Sequence, residues 1–512
     1  MFKNEAGGPP GDEVLDCAAM AAADAFAVRC GVSPAALMEC AGQAVARAIM
    51  HRWAPRQTAI LCGPGNNGGD GYVAARLLQA AGWKATVFEL DSARPLTGEA
   101  EAARRQWNGP RHPLAAFRPE EFGLTVDALF GAGLARPLEG GSRAAVEAGN
   151  AASLARVAVD VPSGIRGDSA RVNGVAFRAD VTVTFHRLKP AHLFEPARSH
   201  CGEIVCADIR IPDGWQSVVP PLARLARLDR LQLPAMAHRA DVHKHQRGRL
   251  CVLAGGVGAT SAARLSAEAG LAMGSGLVTV LCPPASLIEA AHAALPLMVR
   301  ALRDDDFGAD LERHRANALV LGPGAGVNDT LKTRVLAALA AALPVVLDAD
   351  ALSVFADDPS VLLGALHAQA VLTPHAGEFE RLFPGLLADS ATPLEAARQA
   401  AAKSGAIILL KGPATVIAAP SGEAVINANA SARLATAGSG DVLAGMIGGL
   451  MAQGMAPLEA AVSAAWLHGQ AGFLLPPGGN AQDLIARIPA VLGAALDEQA
   501  RRQALARLAG NR

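Results

Sequence analysis

Short apolar segments alternate with longer alanine-rich segments along almost the whole chain. The short segments have the pattern of buried strands, and the longer ones have the spacing of helices. Strands that are apolar on both faces are typical of a parallel sheet covered by helices on each side. The predicted strands are residues 58–62, 85–89, 125–128, 157–159, 181–185, 250–254, 277–282, 318–321, 345–347, 370–372 and 407–410, followed by a hairpin over 415–418 and 424–426. Helices are predicted over 12–29 and 34–51, and the sequence as a whole predicts an α/β fold.

The region between residues 211 and 248 interrupts this alternation, because it contains four prolines and has no strand pattern. Segments of this composition commonly connect domains. We therefore expect a boundary near residues 215–240, with one domain over 1–215 and another over 235–512. The two halves share a class but not a sequence, so the chain is predicted to hold two different α/β domains.

The composition excludes several classes of protein. The formal net charge is −1, so no global positive field favours nucleic acid or an anionic membrane. No apolar run approaches the roughly 18 residues of a membrane span, and the first residues lack the apolar segment of a secretory signal. The eight cysteines form no Cys-x-x-Cys pair, which is typical of buried thiols in a reducing compartment. We expect a cytoplasmic protein with no nucleic-acid or membrane partner.

A glycine-rich loop, Gly-Pro-Gly-Asn-Asn-Gly-Gly-Asp-Gly at residues 63–71, separates the first predicted strand from a helix. Glycines let the backbone approach a ligand, and the free N–H groups of a helix start favour a phosphate. No Gly-Lys-Ser/Thr follows, so this is not a Walker A loop. Gly63, Gly65 and Gly68 have the dinucleotide-binding spacing, and Glu89 ends the next strand 21 residues after Gly68. One hypothesis is therefore a Rossmann dehydrogenase.

Two further loops follow predicted strands, namely Asp-Ala-Leu-Phe-Gly-Ala-Gly-Leu at 127–134 and Asp-Val-Pro-Ser-Gly at 160–164. Ligands of open α/β sheets bind at the carboxyl ends of the strands, so these loops and the first one should converge on one site. Either aspartate by itself could instead cap a turn or a helix.

Together with Met-Glu-Cys-Ala-Gly at residues 38–42, these loops resemble the epimerase family that interconverts the two hydrate epimers of NADH and NADPH. The resemblance covers residues 10–210. It implies that Asp160 is catalytic and contacts the reacting ring, and that Asn67, Asp127 and Ser163 hold a potassium ion. The implied substrate site comprises Gly65, Asn66, Asn67, Gly68, Gly69, Asp70, Gly131, Ala132, Gly133, Leu134, Ala135, Arg136, Pro137 and Asp160. We expect a lysine after the second strand in this family, but residues 88–91 are Phe-Glu-Leu-Asp, so the proton-transfer partner stays unassigned.

In the second half, glycines or polar residues follow five predicted strands, which is typical of an active-site rim. The motifs are Gly-Gly-Val-Gly-Ala-Thr-Ser at 255–261, Gly-Pro-Gly-Ala-Gly at 322–326, Asp-Ala-Asp-Ala-Leu at 348–352, Thr-Pro-His-Ala-Gly-Glu at 373–378 and Lys-Gly-Pro-Ala-Thr at 411–415. A further motif, Ala-Gly-Ser-Gly-Asp-Val-Leu-Ala-Gly at 437–445, places glycine N–H groups at a helix start, where they stabilise an anion. Asp441 can act as a base beside that anion hole, or Ser439 and Asp441 can simply cap the helix.

These motifs, in this order over residues 240–475, are similar to those of the ADP- or ATP-dependent NAD(P)H-hydrate dehydratases. The resemblance implies that Asp441 is the catalytic base and that Mg²⁺ bridges the nucleotide phosphates. Residues implied to face the hydrate are Ala262, Gly324, Gly326, His375 and Asp441. Residues implied to hold the nucleotide are Lys411, Gly412, Pro413, Ala414, Thr415 and Gly440. His375 has a structural alternative as a hydrogen-bonded residue, and the departure of residues 427–433 from Asn-Gly-Asn-Pro predicts a different loop before Gly438.

The two resemblances imply a bifunctional repair enzyme acting on NADHX and NADPHX. A Rossmann-like three-layer α/β/α domain would epimerise the R and S hydrates, and a ribokinase-like α/β domain would dehydrate the S hydrate. The dehydration would consume ADP or ATP and yield AMP and phosphate from ADP. The alternative is a ribokinase-like small-molecule kinase with a non-catalytic Rossmann-like binding module. We also expect a homo-oligomer.

Overall fold

The computed structural model describes residues 11–91, 96–234, 242–292, 296–303 and 306–510. The chain divides into two compact units, Met1–Arg224 and Leu225–Arg512. This division falls within residues 215–240. Within the described ranges, no helix combines the length and the apolar character that a membrane span requires.

The first unit is built on a seven-stranded sheet in the order β4-β3-β2-β5-β6-β7-β8, in which all neighbours run parallel. Its strands are β2 (Gln57–Cys62), β3 (Lys84–Glu89), β4 (Arg111–Pro113), β5 (Leu124–Ala128), β6 (Ala155–Val159), β7 (Val181–Phe185) and β8 (Glu203–Ala207). A short antiparallel pair is formed by β1 (Glu13–Val14) and β9 (Ala223–Leu225). The helices are α1 (Cys17–Arg29), α2 (Pro34–Met50), α3 (Asn66–Ala80), α4 (Gly98–Gln106) and α5 (Gly140–Ala151).

Both faces of this sheet are buried, as its apolar strands require. Ile60 and Cys62 of β2 belong to the core that includes α1, α2 and α3. Ala59 and Leu61 of the same strand belong to a second core with Phe117 and residues of α5. Successive residues of a strand point to opposite faces, so the sheet lies between two helical layers. The predicted three-layer Rossmann-like architecture is confirmed.

The second unit contains a sheet in the order β18-β17-β16-β15-β14-β13-β10-β11-β12. Its strands are β10 (Arg249–Leu253), β11 (Leu277–Cys282), β12 (Met298–Ala301), β13 (Ala318–Leu321), β14 (Val345–Leu347), β15 (Ala370–Leu372), β16 (Ile407–Leu410), β17 (Thr415–Ala418) and β18 (Ala424–Asn427). The strands from β10 to β16 are parallel, and β16, β17 and β18 are antiparallel to one another in turn. The predicted strands and the hairpin are present.

Helices cover this sheet as well. They are α6 (Ser261–Ala272), α7 (Leu287–Ala291), α8 (Phe307–His314), α9 (Asp329–Ala340), α10 (Asp350–Ser353), α11 (Pro359–Ala365), α12 (Ala376–Leu382), α13 (Leu386–Asp389), α14 (Pro393–Ser404), α15 (Ser439–Ala452), α16 (Pro457–Phe473) and α17 (Ala481–Gly510). The core against α6, α15, α16 and α17 includes Leu250 and Val252 of β10. Cys251 and Leu253 are equally buried on the opposite face. This agrees with the ribokinase-like α/β class predicted for this half.

The sequence analysis was wrong in several local details. Residues 211–248 contain a strand, β9, and Glu13–Val14 is a strand where a helix was predicted. The strands β4, β8 and β12 were missed. β4 is exposed over all three residues and β12 is mostly half-buried, so neither has a continuous apolar pattern. The eight cysteines are unbridged as expected, but only five are buried, and Cys30 is exposed.

In each unit the strand order reverses at one position. In the first unit this lies between β2 and β5, and in the second between β10 and β13. The loops that leave these strands touch: a Cβ on Gly63 would lie 1.7 Å from the carbonyl oxygen of Leu129, and one on Gly255 would lie 2.0 Å from that of Gly324. Only glycine permits these approaches. Ligands of open α/β sheets bind at such switch points, so each unit has a natural ligand site.

Candidate functional site

In the first unit, the loop after β2 leads directly into α3, whose N-cap Gly65 provides no side-chain cap. The first-turn N–H groups of α3 are therefore available to a ligand, and the helix dipole favours a negative group there. Gly65, Asn66 and Asn67 line a cavity of about 1270 Å³ together with residues of the loop after β5. Typical small-molecule sites occupy roughly 300–1,000 Å³, so this cavity is large for a ligand site.

Most residues predicted to bind the first substrate line this cavity. They are Gly65, Asn66, Asn67, Asp70, Gly131, Ala132, Gly133, Leu134, Ala135, Arg136 and Asp160. Gly68, Gly69 and Pro137 are not among the described lining residues. A Cβ on Gly68 would lie 2.0 Å from the carbonyl oxygen of Gly63, and one on Gly69 would lie 2.6 Å from the side chain of Met38. These two glycines allow α3 to pack closely, which is a structural role.

Asp160 lies at the end of β6 with its backbone in the left-handed region, at φ 64°. Its Oδ1 accepts hydrogen bonds from Lys189 Nζ at 2.8 Å and from Thr184 Oγ1 at 3.1 Å, and its Oδ2 accepts from the Ala132 N–H at 3.0 Å. Burial acts to raise the pKa of Asp160, but Lys189 and the Ala132 N–H outweigh it and lower the pKa to about 2. Asp160 is therefore held as an anion.

Lys189 was missed by the sequence analysis, which looked for a lysine after the second strand. It lies after β7, it is 4% exposed, and it lines the cavity. Burial acts to lower the pKa of its ammonium group, and the charge of Asp160 more than restores it, so that the pKa is raised. Its backbone N–H donates to His192 Nδ1, so His192 Nε2 donates to the Asp160 carbonyl oxygen at 2.9 Å. Lys189 follows the end of a strand, as the other site loops do, and this position could have identified it from the sequence.

Two more carboxyl groups face the same cavity. Asp70 is 9% exposed, and burial together with the charges of Asp160 and Asp24 raises its pKa well above the usual range. Asp24 lies on α1, which no sequence motif pointed to, and burial raises its pKa to about 6. Neither carboxyl accepts a hydrogen bond from a side chain within the described part of the chain.

The three residues predicted to hold potassium have side-chain oxygens that could act as metal ligands, and they lie in or beside this site. Ser163 donates to Asp127 through its Oγ and its N–H, both at 2.7 Å. Asp127 is completely buried, and burial raises its pKa to about 6 against the hydrogen bonds from Ser163. Asn67 has a buried amide nitrogen without a hydrogen-bond partner among the described residues. A buried carboxylate with hydroxyl and amide oxygens fits a weakly hydrated monovalent cation.

Glu89 is not available to bind a ribose, contrary to the dehydrogenase hypothesis. Tyr72 Oη donates to Glu89 Oε1 at 2.7 Å, and Arg104 Nε donates to the same oxygen at 3.0 Å. Arg111 lies 3.5 Å away. The carboxylate of Glu89 is thus occupied by hydrogen bonds and ion pairs within the fold, and Glu89 does not line the cavity.

In the second unit, α15 begins at Ser439 after Gly438, whose φ is 85°. Neighbouring helices hold this turn. His468 of α16 is buried and donates through Nε2 to the Ser439 carbonyl oxygen at 2.9 Å. Ser266 of α6 donates to the Asp441 carbonyl oxygen at 2.8 Å. The first N–H groups of α15 are therefore fixed at the position predicted for an anion hole.

Asp441 lies in the first turn of α15 beside charged groups from other strands. Burial, followed by the charges of Asp348 and Asp350, raises its pKa to about 6, although Lys411 acts to lower it. Lys411 Nζ lies 2.8 Å from Asp348 Oδ1 and would lie 3.6 Å from a Cβ on Gly440. No side chain makes a capping hydrogen bond at the start of α15, so Asp441 does not cap its own helix. A carboxylate with this pKa, next to a cation and free N–H groups, can accept a proton while a phosphate is bound.

His375 has the structural role that was considered for it, and its contact with the hydrate stays a prediction. Its Nδ1 accepts from the N–H groups of Gly377 and Glu378 at 2.9 and 3.3 Å, so it caps α12. Its side chain is 54% exposed and its Nε2 lies 3.5 Å from Glu378 Oε1. Glu378 also lies 3.9 Å from Lys411, which places His375 at the rim of the same cluster.

The glycine loops of the second unit are fixed by carboxylates. The Gly258 N–H and the Thr260 hydroxyl both donate to Glu289 at 2.7 Å, and the Gly326 N–H donates to Asp350 at 2.8 Å. A Cβ on Gly324 would lie 3.2 Å from the Ala262 Cβ, so these two predicted hydrate contacts are neighbours. The predicted nucleotide residues Lys411, Gly412, Pro413, Ala414 and Thr415 connect β16 to β17. In the described ranges, no group of three or more His, Cys, Asp or Glu residues is arranged to hold a metal.

Fold and sites define an enzyme with two separate α/β units, each with its own switch-point site. Two family models match the chain: one described as NAD(P)H-hydrate dehydratase over residues 250–488, and one described as the YjeF-related protein N-terminus over residues 34–191. The chain is 34% identical to the bifunctional NAD(P)H-hydrate repair enzyme of Escherichia coli, over 82% of this chain and 81% of that protein. It is 37% identical to the enzyme of the same name from Moorella thermoacetica, over 85% and 87%. The chain belongs to the family of bifunctional NAD(P)H-hydrate repair enzymes.

Among solved structures, an ADP/ATP-dependent NAD(P)H-hydrate dehydratase from Bacillus subtilis, co-crystallised with ATP and Mg²⁺, is 28% identical. The match covers 50% of this chain and 93% of that one, with a TM-score of 0.43.

Proposed function

We propose that the chain repairs hydrated NADH and NADPH, with residues 1–215 acting as the epimerase and residues 235–512 as the dehydratase. Membership of the repair-enzyme family supports the pairing of the two activities. The observation that carries the dehydratase assignment is Asp441, a carboxylate with a pKa of about 6 beside Lys411 and the first N–H groups of α15.

In the dehydratase, the hydroxyl group of the hydrated ring must be activated, because hydroxide is a poor leaving group. Asp441 takes the hydroxyl proton, and the hydroxyl oxygen attacks the terminal phosphorus of ADP or ATP. Lys411 and the N–H group of Gly440 stabilise the charge on the phosphate. Phosphate then leaves, and loss of a proton from the neighbouring ring carbon restores the ring double bond. Mg²⁺ held by the nucleotide phosphates would neutralise part of their charge.

In the epimerase, the N–H groups at the start of α3 would hold the pyrophosphate of the dinucleotide, and Asp160 would face the hydrated ring. A potassium ion on Asn67, Asp127 and Ser163 would supply positive charge beneath the loop after β5. The epimerase would convert the R hydrate into the S hydrate that the dehydratase consumes.

One experiment tests both activities. An equal mixture of the two NADPH hydrates is incubated with the full chain, Mg²⁺ and K⁺, first with ADP and then with ATP, and dihydronicotinamide absorbance is followed. Recovery well beyond half of the material is expected. Recovery that stops at half would overturn the epimerase assignment, and no recovery with either nucleotide would overturn the dehydratase assignment.

Product analysis separates the proposal from a kinase. A dehydratase releases free phosphate with NADPH, whereas a small-molecule kinase accumulates a phosphorylated product. Cytoplasmic location and homo-oligomeric assembly remain predictions, which fractionation of cells and light scattering of the purified chain would test.

A further inference from the structure

The cavity of the first unit contains an ammonium group with one unused donor. Lys189 Nζ donates to Asp160 Oδ1 at 2.8 Å and to Thr184 Oγ1 at 3.2 Å. An ammonium group has three N–H donors, and no described residue accepts the third. Because Lys189 lines the cavity and its side chain is only 5% exposed, that third N–H is available to a bound ligand rather than to bulk water.

Asp160 is poorly suited to take a proton itself. Both of its oxygens already accept hydrogen bonds, two at Oδ1 and one at Oδ2. These contacts favour the anion so strongly that its pKa is about 2. Asp160 also raises the pKa of Lys189, so proton transfer from Lys189 depends on the hydroxyl oxygen becoming a stronger base as its bond to carbon breaks.

The chemistry of the proposed substrate needs a proton donor. Water adds to an enamine at the carbon next to nitrogen, so the hydroxyl group of the hydrate lies on a carbon bonded to the ring nitrogen. Inversion at that carbon requires that a bond to it break and form again on the other face. The hydroxyl group can leave only if it receives a proton and departs as water.

We propose that Lys189 is the proton-transfer residue of the epimerase and that Asp160 and Thr184 position it; this inference rests on the proposed epimerase function. The Lys189 ammonium gives a proton to the ring hydroxyl, the carbon–oxygen bond breaks, and water leaves. The nitrogen lone pair forms a carbon–nitrogen double bond, which leaves a cationic planar ring. Water then adds to the opposite face and loses a proton to solvent, and the Lys189 amine takes a proton back from solvent, so nothing is consumed.

The pairing with Asp160 explains how a buried site tolerates this step. Before the proton moves, the positive charge is on Lys189, 2.8 Å from Asp160 Oδ1. After it moves, the positive charge is on the ring and Lys189 is neutral. The Asp160 carboxylate faces one positive charge in both states, so no charge is left without a partner in a poorly solvated cavity.

The test compares Lys189→Met and Lys189→Arg with wild type in the full chain. Arginine keeps the charge and the contact with Asp160, but it does not release its proton. Both variants are expected to lower the epimerisation kcat by roughly 10²–10⁴-fold with little change in KM. Dehydration of the S hydrate by the second unit, measured in the same samples, reports on that unit only, so the Tm of each variant is compared with wild type to show that the first unit is folded. Lys84→Met, a change of an exposed lysine on β3, is the matched control and should retain full activity.

Arginine also separates chemistry from structure, because a merely structural lysine would be replaced by arginine with most of the kcat retained. That result, or a near-normal kcat in Lys189→Met, would overturn the role of Lys189 while leaving the epimerase assignment intact. Failure of the wild-type chain to invert the hydrates would overturn the proposed function and this role with it.

Isotopic oxygen tests the bond that breaks. In water enriched in ¹⁸O, each inversion should place one labelled oxygen on the ring, after subtraction of the uncatalysed rate. Inversion that outpaces labelling would show that the carbon–oxygen bond survives, and it would overturn the step.

Discussion

Lys411 Nζ lies 2.8 Å from Asp348 Oδ1, although the two residues are 63 positions apart and follow different strands of the second unit. Asp348 is buried, and among the described residues Lys411 is its only ion-pair partner within 4 Å. The pair repeats the Lys189–Asp160 contact of the first unit at the same length. In both sites a carboxylate holds an ammonium group beside a glycine-rich helix start.

Asp348→Asn should weaken dehydration because Lys411 loses its fixed anion. A hydrogen bond to a charged group contributes about 1.5–3 kcal/mol, so kcat/KM should fall roughly 10- to 100-fold. Steady-state dehydration of the S hydrate at saturating ADP measures the effect. Asp357→Asn, at an exposed aspartate nearby, is the control and should match wild type. Equal losses in the two variants would contradict a specific role for the Asp348–Lys411 pair.

Asp441→Asn should leave a folded chain that has lost nearly all dehydration. Removal of a general base costs roughly 10²–10⁴-fold in rate. The pKa of Asp441 is raised by burial, so its ionised form is less stable in the folded chain than in the unfolded one at neutral pH. Its neutral replacement should therefore not lower the Tm, as measured by calorimetry. Hydrate-to-NADH conversion at the wild-type rate would rule out Asp441 as the base.

The pH dependence of dehydration should follow the same group. Asp441 can accept a proton only when ionised, and its pKa is about 6. The rate should therefore be maximal above pH 6 and should fall tenfold per pH unit below it. In Asp348→Asn the acid limb should move to lower pH, since the Asp348 charge contributes to raising the pKa of Asp441. An acid limb that does not move would show that another group controls the rate.

His375 can be tested for its two roles separately. Asparagine is a good N-cap, so His375→Asn should preserve α12, whereas His375→Ala should cost about 1 kcal/mol of stability. If His375 also contacts the hydrate, both variants should raise the KM for the hydrate by a similar factor. Denaturant unfolding and steady-state kinetics distinguish the outcomes. A normal KM in His375→Asn would reduce His375 to a helix cap.

Glu89→Gln should affect stability and not activity. Burial acts to raise the pKa of Glu89, but Arg104 and Tyr72 outweigh it, so the pKa is lowered. Such a group stabilises the fold above its unfolded pKa, and this contribution is lost as pH falls through its lower folded pKa. The variant should be less stable than wild type at pH 7, with a smaller difference below pH 4, by urea unfolding. A large loss of epimerase activity would instead favour a ligand-binding role for Glu89.

The loops of both sites were predictable because glycine motifs directly follow apolar strands, and such loops meet wherever the strand order reverses. The Lys189–Asp160 and Lys411–Asp348 contacts were not predictable, because no local pattern links residues 29 and 63 positions apart. Asp24 was missed for a similar reason: it lies on a helix with little amphipathic pattern, far in sequence from every motif. The edge strand β4 escaped detection because its three residues are all exposed.

The left-handed backbone of Asp160 has a consequence for how this chain can change over generations. Asparagine, aspartate and glycine accept such a φ most readily, and of these only aspartate carries a charge. Glutamate would keep the charge but strain the backbone, and asparagine would keep the backbone but leave Lys189 without its anion. Nearly every single substitution at position 160 therefore damages either the backbone conformation or the charge pairing. We expect residue 160 to change in evolution only together with residue 189.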